Sequence, residues 1–182
     1  FAGNPVLKAT EPWEGATALV YGSVLREDDG TFRIWYLCSK GVAYAESSDG
    51  ITWRKPALDV VQHEGRPTNV VIDRDAAEGA PGYLPYFYEM FGVFKDGREQ
   101  DPGRRYKMGF LSIQRDYDGP RRDPFHGNQR RGLGVAASPD GIHWTLVDNW
   151  ATEAICDGAT HWMYDPAGER HVLYGRTKHV AD

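Results

Sequence analysis

Apolar residues in this chain come in short runs closed by turn formers. Tyr21-Gly22-Ser23-Val24-Leu25 leads into Asp28-Asp29-Gly30, and Phe32-Arg33-Ile34-Trp35-Tyr36 follows at once. Val42-Ala43-Tyr44-Ala45 is small and apolar in alternation, as a strand inside a packed sheet requires. β-Branched and aromatic runs between frequent Gly, Pro and Asp predict many short strands rather than long helices.

The pattern repeats. Ser47-Ser48-Asp49-Gly50-Ile51-Thr52-Trp53 returns as Ser138-Pro139-Asp140-Gly141-Ile142-His143-Trp144, an offset of 91 residues (138 − 47). The strand-like residues ahead of each copy also correspond, Val42–Ala45 with Leu133–Ala136. Upstream, Phe91-Gly92-Val93-Phe94, Asp96-Gly97 and Tyr106-Lys107-Met108-Gly109-Phe110 repeat the Gly22 to Tyr36 pattern, offset by 70 (92 − 22). The difference of 21 (91 − 70) measures an insertion, placed in the polar stretch from Gln114 to Arg131. That stretch has few apolar anchors and is expected to form a long exposed loop. A third copy begins at His161-Trp162-Met163-Tyr164-Asp165 and continues through His171-Val172-Leu173-Tyr174-Gly175.

Each unit therefore reads as strand, turn, strand, loop, strand, Ser-x-Asp-Gly-Ile-x-Trp turn, strand. Asp-Gly pairs at Asp29, Asp49, Asp96, Asp118, Asp140 and Asp157 offer glycines for positive-φ turn positions. Four antiparallel strands per repeat make the blade of a β-propeller. The expected fold is all-β: a partial propeller with two four-stranded antiparallel blades and the start of a third, in a single domain over residues 1–182. Blade one is expected over about 15–65, blade two over about 66–150 and the third from about 151 to 182, with the chain a fragment at both ends.

Composition narrows the partners. A net charge of −5 carries no polyanion signature, and the Arg pairs at 104–105, 121–122 and 130–131 read as solvated loop charges, so no nucleic acid is expected. No apolar stretch is long enough to cross a membrane as a helix. Cys38 and Cys156 lack metal-ligand spacing and read as unlinked buried thiols; no metal and no cofactor are expected. Gly132-x-Gly134-x-x-Ala137 matches a dinucleotide fingerprint in form, but it runs into a turn and not into a helix. Gly-x-Ser-x-Gly is absent.

With these residues in hand, the chain resembles the five-bladed β-propeller glycosidases, the superfamily of glycoside hydrolase families 32, 43, 62 and 68. The resemblance rests on Asn4-Pro5-Val6-Leu7, Glu11-Pro12-Trp13-Glu14, Asp28 to Tyr36, the Ser-x-Asp-Gly-Ile-x-Trp turn and Arg105-Tyr106-Lys107-Met108. That turn also resembles a shortened Asp-box of sialidase-type propellers, a marker of fold. The resemblance implies glycosidic-bond hydrolysis by carboxylates from different blades, one protonated while another is ionised. It points to Asp157, Glu89 and Glu14, each expected shortly before an inner strand and near one end of it. Trp13, Asn69, His161 and Trp162 are the candidate sugar-binding residues. Each has a plainer reading: Asp157 as a turn residue, Glu89 as an ion-pair partner, Glu14 as a surface residue, Asn69 as a turn cap, and His161 and the tryptophans as core. The implied partner is a poly- or oligosaccharide, and the implied location is secreted or periplasmic. Self-association through exposed blade faces is a further expectation. The competing reading is a non-catalytic propeller that binds carbohydrate or protein.

Overall fold

The computed structural model describes residues 3–120, 127–152 and 161–175. The chain is all-β. Its first sheet contains β1 (Val24–Arg26), β2 (Phe32–Cys38), β3 (Gly41–Ser47) and β6 (Val70–Asp73), in the order β1-β2-β3-β6. The second contains β7 (Phe87–Lys95), β8 (Tyr106–Arg115), β9 (Gln129–Ser138) and β10 (Thr145–Thr152), in sequence order. All neighbours in both sheets are antiparallel. Two hairpins complete the described strands, β4 (Leu58–His63) with β5 (Arg66–Thr68) and β11 (His161–Asp165) with β12 (Arg170–Tyr174). This is the arrangement of a partial β-propeller, the fold expected from the repeat.

The chain divides into two compact units. The first comprises residues 1–84 with Ile142–Trp144, and the second comprises 85–141 with 145–182. In the first, β2 and β3 are buried on both faces: Trp35, Tyr36, Val42, Ala43, Tyr44 and Ala45 are all inaccessible to solvent. Ile34, Tyr36, Cys38, Ala43, Ala45 and Val70 form a cluster with Val60 and Val61 of β4, against which Trp13, Trp53 and Ile142 also pack. In the second unit, Leu111, Ile113 and Leu133 form a smaller cluster with Met90, Val135 and Leu173 packed on it.

The two Asp-Gly-Ile turns have the same hydrogen bonds. Ser47 Oγ accepts from the amides of Asp49 (3.2 Å) and Gly50 (2.9 Å); Ser138 Oγ accepts from Asp140 (3.3 Å) and Gly141 (2.9 Å). Each Ser hydroxyl also bonds its Asp carboxylate, at 2.9 and 3.0 Å. Gly50 and Gly141 sit at φ 72° and 81°, a left-handed conformation that favours glycine. Asp49 Oδ1 further accepts from the Ile51 and Thr52 amides, and these bonds lower its pKa to about 2. Of the other Asp-Gly pairs, Gly30 takes positive φ, Gly97 and Gly119 do not, and the pair at Asp157 lies outside the described residues. Asp96 is engaged with Lys107 instead.

The register match continues into the next strand and then breaks. Arg54 bridges Glu46, and its counterpart Thr145 pairs with Ala137, each offset by 91. In the second sheet the ladder runs on as β10. In the first, Pro56 follows; proline has no amide hydrogen, so the ladder ends there. The chain makes the β4–β5 hairpin, turning through Glu64 (φ 51°) and Gly65 (φ 75°), before β6 takes the fourth place. Residues 66–73, expected at the start of the second blade, thus precede it.

The insertion is also redistributed. β8 and β9 stay paired out to Gln114↔Arg130 and Arg115↔Gln129, so the hairpin consumes both ends of the stretch expected to be loop. Residues 121–126 lie outside the described residues. Part of the extra length sits earlier, between β7 and β8, where Pro102–Arg104 form a 3₁₀ turn. Gly134 stands where a Cβ would overlap the Phe110 ring. Gly134→Ala is expected to destabilise the fold by about 1–3 kcal/mol through overpacking. Phe110→Leu should relieve part of that cost, a coupling that denaturant melts of the double-mutant cycle would measure.

Candidate functional site

Glu14 ends a single 3₁₀ turn, Pro12–Glu14, ahead of β1. Its side chain is fully enclosed, with 0% exposure, and both oxygens are engaged. Oε2 accepts from the amides of Thr10 (2.7 Å) and Glu11 (2.9 Å) and from Lys55 Nζ (2.6 Å). Oε1 accepts from the Tyr36 hydroxyl. Burial alone would push the carboxyl's pKa up. The Lys55 ammonium, the Tyr36 hydroxyl and the two amides outweigh it and hold the group below its ordinary value. Tyr36 shifts upward, first because it is buried and then because it donates to a carboxylate.

Asn69 extends the network. Its Nδ2 donates to Tyr36 Oη and to the Tyr44 carbonyl, both at 2.8 Å, and its Oδ1 accepts from Trp13 Nε1 at 2.8 Å. The Asn69 amide, a candidate for sugar hydroxyls, is thus spent inside the protein and is buried. Trp13 is half-buried, its ring edge-on to His63 with centroids 6.0 Å apart. Glu14, expected at a cleft or on the surface, is instead an enclosed organising charge, because its carboxylate has four donors around it.

Glu89 lies in the second unit, within β7 and not ahead of it. The β7–β8 register shifts on both sides of it, between Phe87 and Glu89 and again between Glu89 and Gly92. Tyr86 and Met90 flank it at φ 57° and 56°, a conformation uncommon for non-glycine residues. Glu89 is half-buried beside Tyr88, over whose ring the Arg115 guanidinium sits at 5.7 Å. The Glu89 carboxylate itself has no hydrogen bond or ion pair among the described residues. Asp157 lies outside the described residues. His161 is exposed at the start of β11. Trp162 lies against Gly109 and edge-on to His171, with centroids 5.8 Å apart; its indole N–H is buried without a partner among the described residues.

Two features were missed from the sequence. Lys55, two residues beyond the Trp53 turn, is the counter-ion of Glu14. In the second unit, Lys107 pairs with Asp96 (2.8 Å) and Glu99 (2.9 Å), while His171 approaches Asp96 at 3.3 Å amid Phe94, Trp162 and Tyr164. Burial opposes ionisation of Asp96, but the Lys107 bond and the Arg98 amide outweigh it and lower its pKa. Glu27 with Arg33, at 3.5 Å, is the same pairing in the first sheet: an acid just past the first strand and a base second in the next. That offset was legible once the strands were aligned. Among the described residues no group of three or more His, Cys, Asp and Glu side chains could hold a metal ion.

No protein-family profile matches the chain, and no curated protein sequence matches it. Several solved structures are similar to it, among them the following two. One, described as a BT0996 RGII complex, has a TM-score of 0.48 and 17% identity, over 86% of this chain and 46% of that one. The other, described as a glycoside hydrolase, has a TM-score of 0.43 and 16% identity, over 82% and 40%. The present chain therefore spans less than half the length of either.

Removing the charge at position 14 leaves the nearly buried Lys55 without its counter-ion, held only by the Lys8 carbonyl and the Thr10 hydroxyl. Glu14→Gln is expected to cost about 3 kcal/mol in chemical denaturation. Because the folded pKa lies below the ordinary 4.5, the network's contribution is complete above about pH 4.5 and is lost as pH falls through the lower folded value. Stability curves against pH should show that acid loss in the parent and a shallower one in Glu14→Gln.

Proposed function

We propose that this chain is the part of a glycosidase-like β-propeller protein that binds a poly- or oligosaccharide and contributes carboxylates to glycosidic-bond hydrolysis. The observation that carries the reading is Glu89. It is a half-buried carboxylate mounted on a strand and left without an internal partner among the described residues. Irregular, positive-φ backbone flanks it. Bulges of this kind re-aim side chains beside active sites, and backbone strain collects at functional positions. Glu89 is the proposed acid and Asp157 the proposed base or orienting carboxylate. Glycoside hydrolysis needs such a pair, one group to protonate the leaving oxygen and another to attack or to activate water. Trp162 and His161 are the proposed sugar contacts. In the first unit Glu14 is a positioning residue, linked to Trp13 through Tyr36 and Asn69, and Trp13 is the proposed sugar contact of that unit.

The test is a panel of poly- and oligosaccharides, with hydrolysis followed by reducing-end release and product stereochemistry by NMR. Glu89→Gln and Asp157→Asn are each expected to lower turnover by about two to four orders of magnitude while leaving the melting temperature nearly unchanged. Retained turnover in either variant removes that residue from the mechanism. Sugar binding without hydrolysis would favour the non-catalytic propeller instead.

A further inference from the structure

We propose that Tyr86 is a stacking platform beside Glu89, taking the apolar C–H face of the sugar unit next to the bond that is cut. The inference rests on the carbohydrate reading above and adds a residue to it. Tyr86 immediately precedes β7 and is 42% exposed. Its backbone turns at φ 57°, and its carbonyl accepts from the Ile113 amide at 2.9 Å. Glu89 lies opposite Leu111, two residues away from Ile113 on the same neighbouring strand. Two residues of β8 span about 7 Å, where three residues of regular strand would span about 10 Å. The register shift at Glu89 therefore draws the open carboxylate and the exposed ring together along one edge of the sheet.

The ring is held from behind. β7 and β10 are opposite edges of the second sheet, about 14 Å apart by strand spacing. Yet the Tyr86 ring meets the Trp150 ring of β10 with centroids 5.6 Å apart and planes inclined at 36°. The strands between them make room, because Ser112 of β8 stands opposite Gly132 of β9. A Cβ on Gly132 would come within 3.2 Å of the Trp150 ring and 2.7 Å of the Thr152 carbonyl. The β10 register shifts between Asp148 and Thr152, and the Asp148 carboxylate accepts from the Trp150 amide at 2.8 Å. The Arg130 guanidinium lies 4.1 Å from the Trp150 ring centroid and 5.7 Å from that of Tyr117. Tyr86, Trp150, Arg130 and Tyr117 thus form one continuous run of ring contacts. A positive φ, a bulge and a glycine inside a strand each depart from regular sheet. Burial does not account for them, since the Tyr86 ring stays in water. They fix an exposed ring at one angle before any ligand arrives, which lowers the ordering cost of binding. A flat apolar face beside an unpaired carboxylate suits a ligand with apolar C–H faces and hydroxyls at its edge, the chemistry of a sugar.

Calorimetric titration of gluco-, xylo-, arabino- and galacto-oligosaccharides into Glu89→Gln reads binding apart from turnover. Adding Tyr86→Ala to that variant is expected to weaken binding by about tenfold or more. Tyr86→Leu, which keeps an apolar side chain against Trp150 but no flat face, should bind as weakly as Tyr86→Ala. Tyr86→Phe should restore binding, because stacking uses the ring and not the hydroxyl. Circular dichroism should be unchanged in all three, since the ring is exposed. Binding unaffected by Tyr86→Ala, with the parent still hydrolysing, overturns the platform and leaves the carbohydrate reading standing. Binding lost in Tyr86→Ala, with a parent that hydrolyses nothing, upholds the platform and removes the catalytic reading. Tyr86→Phe as weak as Tyr86→Ala overturns stacking. Binding of none of the oligosaccharides overturns platform and carbohydrate reading together.

Discussion

The first unit depends on an ionised carboxylate in its interior. Moving a carboxylate out of water costs several kcal/mol unless donors replace the lost hydration. Glu14 collects four donors from three stretches of chain: the amides of Thr10 and Glu11 before its own turn, Tyr36 in the middle of β2, and Lys55 just past the Asp-Gly-Ile turn. Asn69 then ties Tyr36 to the Tyr44 carbonyl on β3 and to Trp13. Removing Glu14 takes one acceptor from each of four donors at once. The N-terminal segment, β2, β3 and the chain entering β6 are therefore held to one arrangement more strictly than apolar packing alone would require.

That constraint explains where the two repeats diverge. From Val42 to Arg54 the first follows the second at a constant offset of 91. Beyond it, Lys55 turns inward to Glu14 and Pro56 forbids another ladder bond, so the backbone leaves the sheet. The vacated edge of β3 is taken by β6, which returns with Asn69 at its start. A repeat unit is thus adapted by two adjacent residues, one drawn by charge and one barred by its ring, without disturbing the turn before them.

What was legible in the sequence follows from how local each signal is. The Asp-Gly-Ile turns could be read because their bonds lie within four residues, Ser47 to Gly50 and Asp49 to Thr52. Strand order within the second sheet was legible because its neighbours are consecutive. The displaced fourth strand of the first sheet was not, since Val42↔Ile72 is a long-range pairing that no local pattern announces. The enclosure of Glu14 was equally hidden: it needs Lys55 and Asn69, 41 and 56 residues from their bonding partners. The fixed 70 and 91 offsets concealed how the insertion is shared between the β7–β8 turn and a longer β8–β9 hairpin, because an offset counts residues and cannot say which of them pair.

The acids then separate by what surrounds them. Asp49 is saturated by its own turn, Asp96 by Lys107 and the Arg98 amide, and Glu14 by its four donors; in each the ionised form is held below its ordinary range. A carboxylate stabilised in that way is a poor proton donor near neutral pH. These three serve the fold. Glu89 differs: among the described residues no donor meets its carboxylate, and the β7–β8 register shifts on both sides of it. The proposed function builds on that contrast between carboxylates met by donors and one that, among the described residues, is not.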